Sequence, residues 1–549
     1  NLSIIFFYKR VYLLMSASLN FKKAISYFQK SDFSRCLKIC KKILGLNPTF
    51  LDAYILGAQA SLALGQNKQT EKLLLKAAEI QPENAIVHRN LGIFFSQMQR
   101  QKDADLAFQK SLELGPKDVQ THYCYAVHLD GSHRPKEASE RFLAASEISP
   151  ENPDIWTGLG RAQRSLGQFD AARESCLTAL EFTQDHLPAL NNLGALSTEM
   201  EDYISAIEYL ERSIKLNPKQ PRAWFNLGTT YQRAERLEEA IEAYQNALQN
   251  QPDSAEILQA LGRTLQRQES HQKAIEIFSK ASEVAPDNPQ VSYYLACGHI
   301  GAGNISEARA VCNRFLERHP ADATALSCLA LIASEHGSEE ENKQFNCFDS
   351  IIQTVKVPTP DIFADEQSFI KTLANHILSN PTLSDTGQDH ATRNGLHTGS
   401  LSQSGMGPLS HLEDTIASSL DAYVAFLNQT KTNEYLVSNR PKNWFLDIWG
   451  VAMNNQGHQI AHYHPQSWVS GCFYAQLPPV VSEENNSQEG WIEFGSPPED
   501  FFSVGGYKVK AYKPLVGSMF LFPGYLTHRT IPFTSDEVRI SIAFDIVPK

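Results

Sequence analysis

Prolines recur at positions 48, 82, 116, 150, 218, 252, 286 and 320 of the 549-residue chain. Successive members lie 34 residues apart, apart from one interval of 68 in which Gln184 stands where a proline is due. Other positions keep the same phase. Alanine occupies 104, 138, 172, 206, 240, 274 and 308, and Leu91-Gly92, Leu159-Gly160, Leu193-Gly194, Leu227-Gly228 and Leu261-Gly262 share one offset. A fixed period of this size means one supersecondary unit stacked many times. The unit reads as two helices joined by a turn. Small residues such as Gly160 and Ala172 let the paired helices approach closely. Each proline closes a second helix, because it has no amide donor and restrains its predecessor. No single unit can bury its apolar face alone, so the units must stack.

Period and positions together resemble the tetratricopeptide repeat. Nine repeats are expected, starting near residues 17, 51, 85, 119, 153, 187, 221, 255 and 289, with a degenerate tenth unit at about 323–355 that caps the array onto the next domain. The domain reading is therefore 1–14 as a non-native or disordered extension before Met15, 15–355 as an all-α solenoid, and 356–549 as a second domain. The resemblance implies a superhelix with a concave groove. Asn90, Asn192 and Asn226 share the sixth repeat position on the groove-lining helix. Similar asparagines in O-linked N-acetylglucosamine transferases hold an extended peptide backbone, which implies a protein or peptide partner in the groove.

Composition narrows the partners. The net charge is −12, which argues against a phosphate-backbone partner and hence against nucleic acid. No run of about 18 apolar residues exists, so no membrane span is expected. Nine cysteines form no Cys-x-x-Cys pair, and Cys36, Cys40, Cys124, Cys297 and Cys328 fall in helical, mostly apolar patterns. Reduced thiols in a cytoplasmic protein fit that usage. The acidic runs Glu339-Glu340-Glu341 and Glu483-Glu484 read as solvated surface.

The repeat phase breaks after Val357-Pro-Thr-Pro360. Phe369–Leu378 and Leu409–Leu427 have the three- and four-residue apolar spacing of helices. Between them Asn380–Pro408 is polar and rich in Gly, Ser and Thr. It reads as a long loop, and loops of that length are often functional; both a lid over the site and a disordered connector fit it. A β domain is expected to start at Asn443–Met453, with Trp444, Leu446 and Ile448 on one face. Pro478–Gly506 reads as a variable acidic surface loop carrying one strand, Trp491–Phe494.

The chemistry concentrates in Gly457-His-Gln-Ile-Ala-His-Tyr-His-Pro-Gln-Ser-Trp-Val-Ser-Gly-Cys-Phe-Tyr474. His462 and His464 are two residues apart, so a strand here aims both imidazoles the same way. Trp468–Tyr474 reads as the next strand. A third histidine, His528, follows the strand Ser518–Phe522 and a turn. Arg539 lies eleven residues beyond it and shares a strand face with Ser541. His458 is a reserve metal candidate.

This order of motifs, over roughly 365–549, resembles the double-stranded β-helix 2-oxoglutarate/Fe(II) oxygenases. It is similar to prolyl hydroxylases, and more so to a bacterial family of 2-oxoglutarate oxygenases with an HxHPxxWxSGxYY motif and a later H…RxS. The resemblance implies a jelly-roll domain with flanking helices, Fe(II) on His462, His464 and His528, and 2-oxoglutarate as cosubstrate. It places the far carboxylate of 2-oxoglutarate on Arg539, with Ser541 and Tyr474 donating hydrogen bonds. It further implies molecular oxygen as co-reactant and hydroxylation as the reaction. Three-ligand iron sites leave positions open for such ligands, and a planar guanidinium suits a carboxylate.

One departure stands out: His464 occupies the place of a ligand carboxylate. Three neutral histidines leave the full 2+ charge on the metal. Cupins include three-histidine iron oxygenases, and zinc takes the same ligand set. Two further readings therefore remain at this level: a three-histidine enzyme without 2-oxoglutarate, either a cupin-like dioxygenase or a zinc hydrolase, and a non-catalytic repeat adaptor with a degenerate oxygenase fold.

Overall fold

A computed structural model describes residues 18–385, 391–402, 407–430, 434–482, 487–503 and 505–549. Residues 1–14, Met15 and the pair Glu483-Glu484 lie outside the described residues. Helices begin at Leu51, Ala85, Val119, Pro153, Leu187, Pro221, Ala255, Pro289 and Ala323, so the 34-residue phase of the sequence is the phase of the fold. The alternating second helices end at Leu46, Ile80, Leu114, Ile148, Leu216, Asn250, Val284 and Arg318, each two residues before its proline. The helix Phe169–Phe182 stops at the same phase although Gln184 replaces the proline. Tertiary packing thus fixes the end, and proline reinforces it.

The turn inside each repeat is equally regular. Ser31, Gly65, Gln99, His133, Gly167, Glu201, Glu235, Glu269 and Gly303 all have positive φ, between 57° and 77°. Glycine adopts this left-handed conformation without penalty, yet only three of the nine are glycine. The close approach between paired helices is stricter. A Cβ on Gly160 would lie 2.6 Å from Cys176 Sγ and 3.0 Å from Ala172 O. On Gly194 it would meet Leu210 at 2.4 Å, and on Gly262 the Phe278 ring at 2.4 Å.

The described residues form two compact units, one ending at Arg236 and the other spanning Leu237–Lys549. The first holds stacked repeat helices. The second holds further repeat helices and two antiparallel sheets, a double-stranded β-helix with flanking helices Glu366–Leu378 and Leu409–Thr430. Its strands are β1 (Gln353–Lys356), β2 (Ser384–Asp385), β3 (Thr392–His397), β4 (Trp444–Gln459), β5 (Val469–Gln476), β6 (Ile492–Phe494), β7 (Lys510–Tyr512), β8 (Ser518–Pro523), β9 (His528–Thr530) and β10 (Arg539–Pro548). The seven-stranded sheet runs β1-β8-β5-β10-β4-β3-β2, and the three-stranded sheet β7-β6-β9. β10 is central, paired with β4 along its whole length and with β5 on the other side.

Three local expectations change. β1 begins at Gln353, inside the stretch read as a helical cap, and pairs with β8. The polar stretch after Asn380 is not simply a loop. Thr392–His397 forms β3 and pairs with β4, with a bulge between Arg393 and Gly395. Its polar composition suits a strand near the edge of the sheet, with only the two-residue β2 outside it. Residues 386–390 and 403–406 of that stretch lie outside the described residues, so a lid there is not described.

The third change concerns the loop after β6, expected at the surface. Within the second unit it docks on repeat helices, because Phe501 and Phe502 interrupt its acidic run. Phe501 is 5% exposed. The hydroxyls of Tyr293 and Tyr294 donate to the Asp500 carboxylate at 3.3 and 3.1 Å. The Lys508 amide donates to Ser334 Oγ at 2.6 Å, and Ser503 donates to Glu335. Helix Ala323–His336, whose last turn this loop bonds, is buried over nearly its whole length. All nine cysteines are free. Among the described residues, no helix is long and apolar enough to cross a membrane.

The packing at Gly262 gives a test with a definite sign. Alanine is favoured over glycine in a helix by about 1 kcal/mol, but an added methyl that displaces a buried ring costs about 1–3 kcal/mol. Gly262→Ala is expected to lower the thermal midpoint, and Phe278→Leu in that background to restore part of it. A midpoint raised by Gly262→Ala, read by circular dichroism, contradicts the close-packing argument.

Candidate metal centre

β4 ends at Gln459, and no regular strand covers His462–His464 as the sequence suggested. An isolated bridge replaces it. His462 N donates to His528 O at 3.0 Å and His528 N to His462 O at 2.9 Å. His464 N donates to Gly524 O at 2.9 Å. Gly524 has to be glycine, since a Cβ there would lie 2.1 Å from Ser467 O. Backbone pairing therefore brings residues 66 positions apart into one cluster.

The side chains converge. Ring centroids are 4.4 Å apart for His462 and His528, 5.1 Å for His464 and His528, and 5.3 Å for His462 and His464. One nitrogen from each imidazole lies within 4.8 Å of the others, a group able to hold a metal ion. The opposite nitrogens are all occupied. His462 Nδ1 donates to Ile460 O at 2.8 Å, and His528 Nδ1 to Leu526 O at 3.1 Å. His464 Nδ1 donates to Asp545 at 2.7 and 2.9 Å. Carbonyl and carboxylate oxygens carry no proton, so each Nδ1 bears the hydrogen, and in the neutral ring Nε2 keeps the lone pair. His464 Nε2 is buried with no hydrogen-bond partner. Metal-bound histidines hold their second nitrogen in this way.

Electrostatics favours the neutral, ligating form of His462 and His528. Burial, together with the neighbouring His464, pushes His462 down to about 4. Burial, with His462 and His464, pushes His528 well below its ordinary value. Asp545 moves the other way from what burial alone would do. The His464 imidazole and hydrogen bonds from His464 and Ser470 hold its carboxyl below the ordinary value.

A second group of polar residues lies on the same sheet. Register places Ser541 opposite Tyr474 on β5, and Arg539 opposite Met453 on β4. Arg539 is 2% exposed and forms no ion pair among the described residues. Its Nη1 donates to Ser541 Oγ at 3.3 Å, and its guanidinium lies 5.1 Å over the Tyr474 ring. Arg539 Nε and the Tyr474 hydroxyl are both buried without a hydrogen-bond partner. Such groups are costly to bury unless something completes them.

A cavity of about 620 Å³ opens onto His462 and His464, walled by Trp449, Tyr463, Gln459 and Gln466. Trp449 stacks on His464, centroids 5.8 Å apart. His458 is not in the cluster. It lies on β4, with Nδ1 bonded to Gln456 O at 3.0 Å. Asn90, Asn192 and Asn226 lie on the first helices of their repeats, partly exposed. Asn90 accepts from Gln59 at 3.2 Å and donates to Ile86 O at 2.7 Å, and Asn192 donates to Thr157 O at 3.4 Å. Asp545 does not stand out in the sequence, although a signal is there: it is the one charged residue between Ile540 and Val547, at the parity of Arg539 and Ser541.

Residues 447–545, which contain the three histidines, Arg539 and Asp545, match the family model described as "Putative 2OG-Fe(II) oxygenase". Residues 129–196, 187–220, 219–287 and 265–332 match tetratricopeptide repeat models. The chain thus joins tetratricopeptide repeats to a C-terminal domain of the 2OG-Fe(II) oxygenase family. Among solved structures it is similar to the Cut9-Hcn1 hetero-tetramer of the APC/C, at 22% identity and TM-score 0.40. That match covers 51% of this chain and 55% of the other, so the chain spans little more than half of that relative. It is also similar to MamA of Desulfovibrio magneticus RS-1, at 26% identity over 31% of this chain and 96% of the other, with a TM-score of 0.28. A third is YrrB, a TPR protein with an unusual peptide-binding site, at 26% identity over 34% and 96%, again with a TM-score of 0.28. No curated protein matches the chain.

The depressed histidines set a pH dependence for the metal-free protein. A histidine whose pKa falls on folding is protonated first in the unfolded chain. Its contribution is complete above about 6.5 and is lost as pH falls toward about 4. Denaturant midpoints of metal-free protein are expected to fall across that window. His528→Gln should flatten the fall, and identical pH slopes for the variant and the wild type contradict the assignment.

Proposed function

We propose that this protein is an Fe(II)- and 2-oxoglutarate-dependent dioxygenase, a hydroxylase whose repeats select a protein or peptide substrate. The observation that carries this reading is the pair of orphaned buried groups, Arg539 Nε and the Tyr474 hydroxyl, on the sheet that also holds Asp545 beneath His464. His462, His464 and His528 would hold the iron through Nε2. Arg539, Ser541 and Tyr474 would receive the far carboxylate of 2-oxoglutarate. Iron with 2-oxoglutarate and oxygen supplies the oxidation of an unactivated C–H bond, the cosubstrate leaving as succinate and CO₂. The protein's part is to orient these groups and to keep water from them.

The Nδ1 anchors fix all three rings before any ligand enters, so no reorganisation is needed there. Arg539 orients a dicarboxylate through its planar fork, and Tyr474 supplies a hydroxyl on the same side. Tyr463, between two of the histidines, has its ring 6.4 Å from that of Tyr293 in a repeat helix. This supports the repeats acting together with the cavity, and Asn90, Asn192 and Asn226 are the candidates for holding an extended peptide. Nine free thiols fit a reducing compartment such as the cytoplasm. The three-histidine set alone also suits zinc, but that reading gives Arg539 and Tyr474 no partner.

Calorimetric titration of 2-oxoglutarate into the anaerobic Fe(II) protein tests the reading. Removing one partner of a buried hydrogen-bonded charge pair costs roughly 2–5 kcal/mol, on the order of 30- to 3,000-fold in affinity. Arg539→Ala should lose that much while retaining iron, and Arg539→Lys should recover part of it. Equal affinity in Arg539→Ala and the wild type, or none in the wild type, removes 2-oxoglutarate from the assignment.

A further inference from the structure

We infer that Asp545 is a positioning residue that couples a full negative charge to the metal site through His464. This role rests on the metal reading of the three histidines. Three neutral imidazoles around a divalent cation leave its charge uncompensated in a buried place, and buried charge without a counter-charge is costly. The structure holds a counter-charge one residue away. Asp545 accepts from His464 Nδ1 through both carboxylate oxygens, at 2.7 and 2.9 Å. Neither of the other two histidines has such a partner. His462 and His528 donate to the backbone carbonyls of Ile460 and Leu526.

Asp545 is itself held firmly. Ser470, opposite it on β5, donates to its Oδ1 at 2.6 Å. Asp447 lies opposite on β4 and is bonded by Ser400 at 2.5 Å. Two carboxylates facing each other across a strand pair repel. Among the described residues, no lysine or arginine pairs with Asp545, and its ion-pair partner is His464. The carboxylate is therefore placed where it does most for a cation bound beyond the ring. His464 and Asp545 act as one ligand unit, neutral imidazole in front and anion behind. A carboxylate partner of this kind also raises the basicity of the ligating nitrogen.

Co(II) is the probe, titrated into the full-length metal-free protein and followed by calorimetry and by its visible absorption. Asp545→Asn keeps an oxygen that can accept from His464 Nδ1 but removes the charge. It is expected to weaken Co(II) roughly 10- to 100-fold and to shift the absorption band, with the far-ultraviolet dichroism unchanged. In a His464→Asp background the ligand itself carries the charge, so adding Asp545→Asn there should cost less than it does in the wild type. If Asp545→Asn does not fold alone, Ser470→Ala is the second variant. It loosens the carboxylate and should weaken Co(II) several-fold with a smaller band shift. Co(II) affinity and band position unchanged in Asp545→Asn, or in Ser470→Ala where that variant is the one measured, overturn the inference. So does an equal Asp545→Asn penalty in both backgrounds. A wild type that binds no Co(II) overturns instead the metal reading on which it rests.

Discussion

Two backbone hydrogen bonds, exchanged between His462 and His528, hold the site together. They join a segment leaving β4 to the start of β9, and so tie the larger sheet to the smaller one. Without them the cluster would lose one wall. An isolated bridge suits this role, because it fixes position without forcing the side-chain alternation of a long strand. His462 and His464 can then meet His528 from different angles, each ring set by its own Nδ1 acceptor.

β10 does the complementary task. Arg539, Ser541 and Asp545 share one face of it, and pairing with both β4 and β5 fixes that face on either side. One strand therefore carries a cation and an anion six residues apart, roughly 20 Å of extended chain. The cation lies beside groups left unsatisfied; the anion lies behind an imidazole. That separation is too long for the two to pair. Here the strand holds them apart, and each is left with work at its own end.

Much of this was legible in the sequence, for a physical reason. A 34-residue period is a direct record of helix pairs that must stack identically, so helix starts could be read to within a residue. The histidines and Arg539 stood out because polar groups in apolar strands are rare. What stayed hidden depended on partners distant in sequence. β1 shows no strong pattern of its own and exists because β8 offers an edge. β3 is polar because it lies near the sheet edge, so it read as loop. Asp545 was overlooked because one carboxylate near a chain's end is unremarkable until His464 is seen beneath it. The docking of Asp500–Ser503 was masked by the acidic residues around two phenylalanines.

That docking reaches further than the site. Arrays of stacked repeats need a polar outer face on their last unit to stay in solution. Helix Ala323–His336 carries a run of alanine, leucine, cysteine and isoleucine that is buried almost throughout, and the loop after β6 bonds its last turn at Ser334 and Glu335. The loop after β6 thus shields the C-terminal turn of the last long repeat helix. Damage that merely loosens the sheets would uncover a sticky helix end. Aggregation would then be the first symptom.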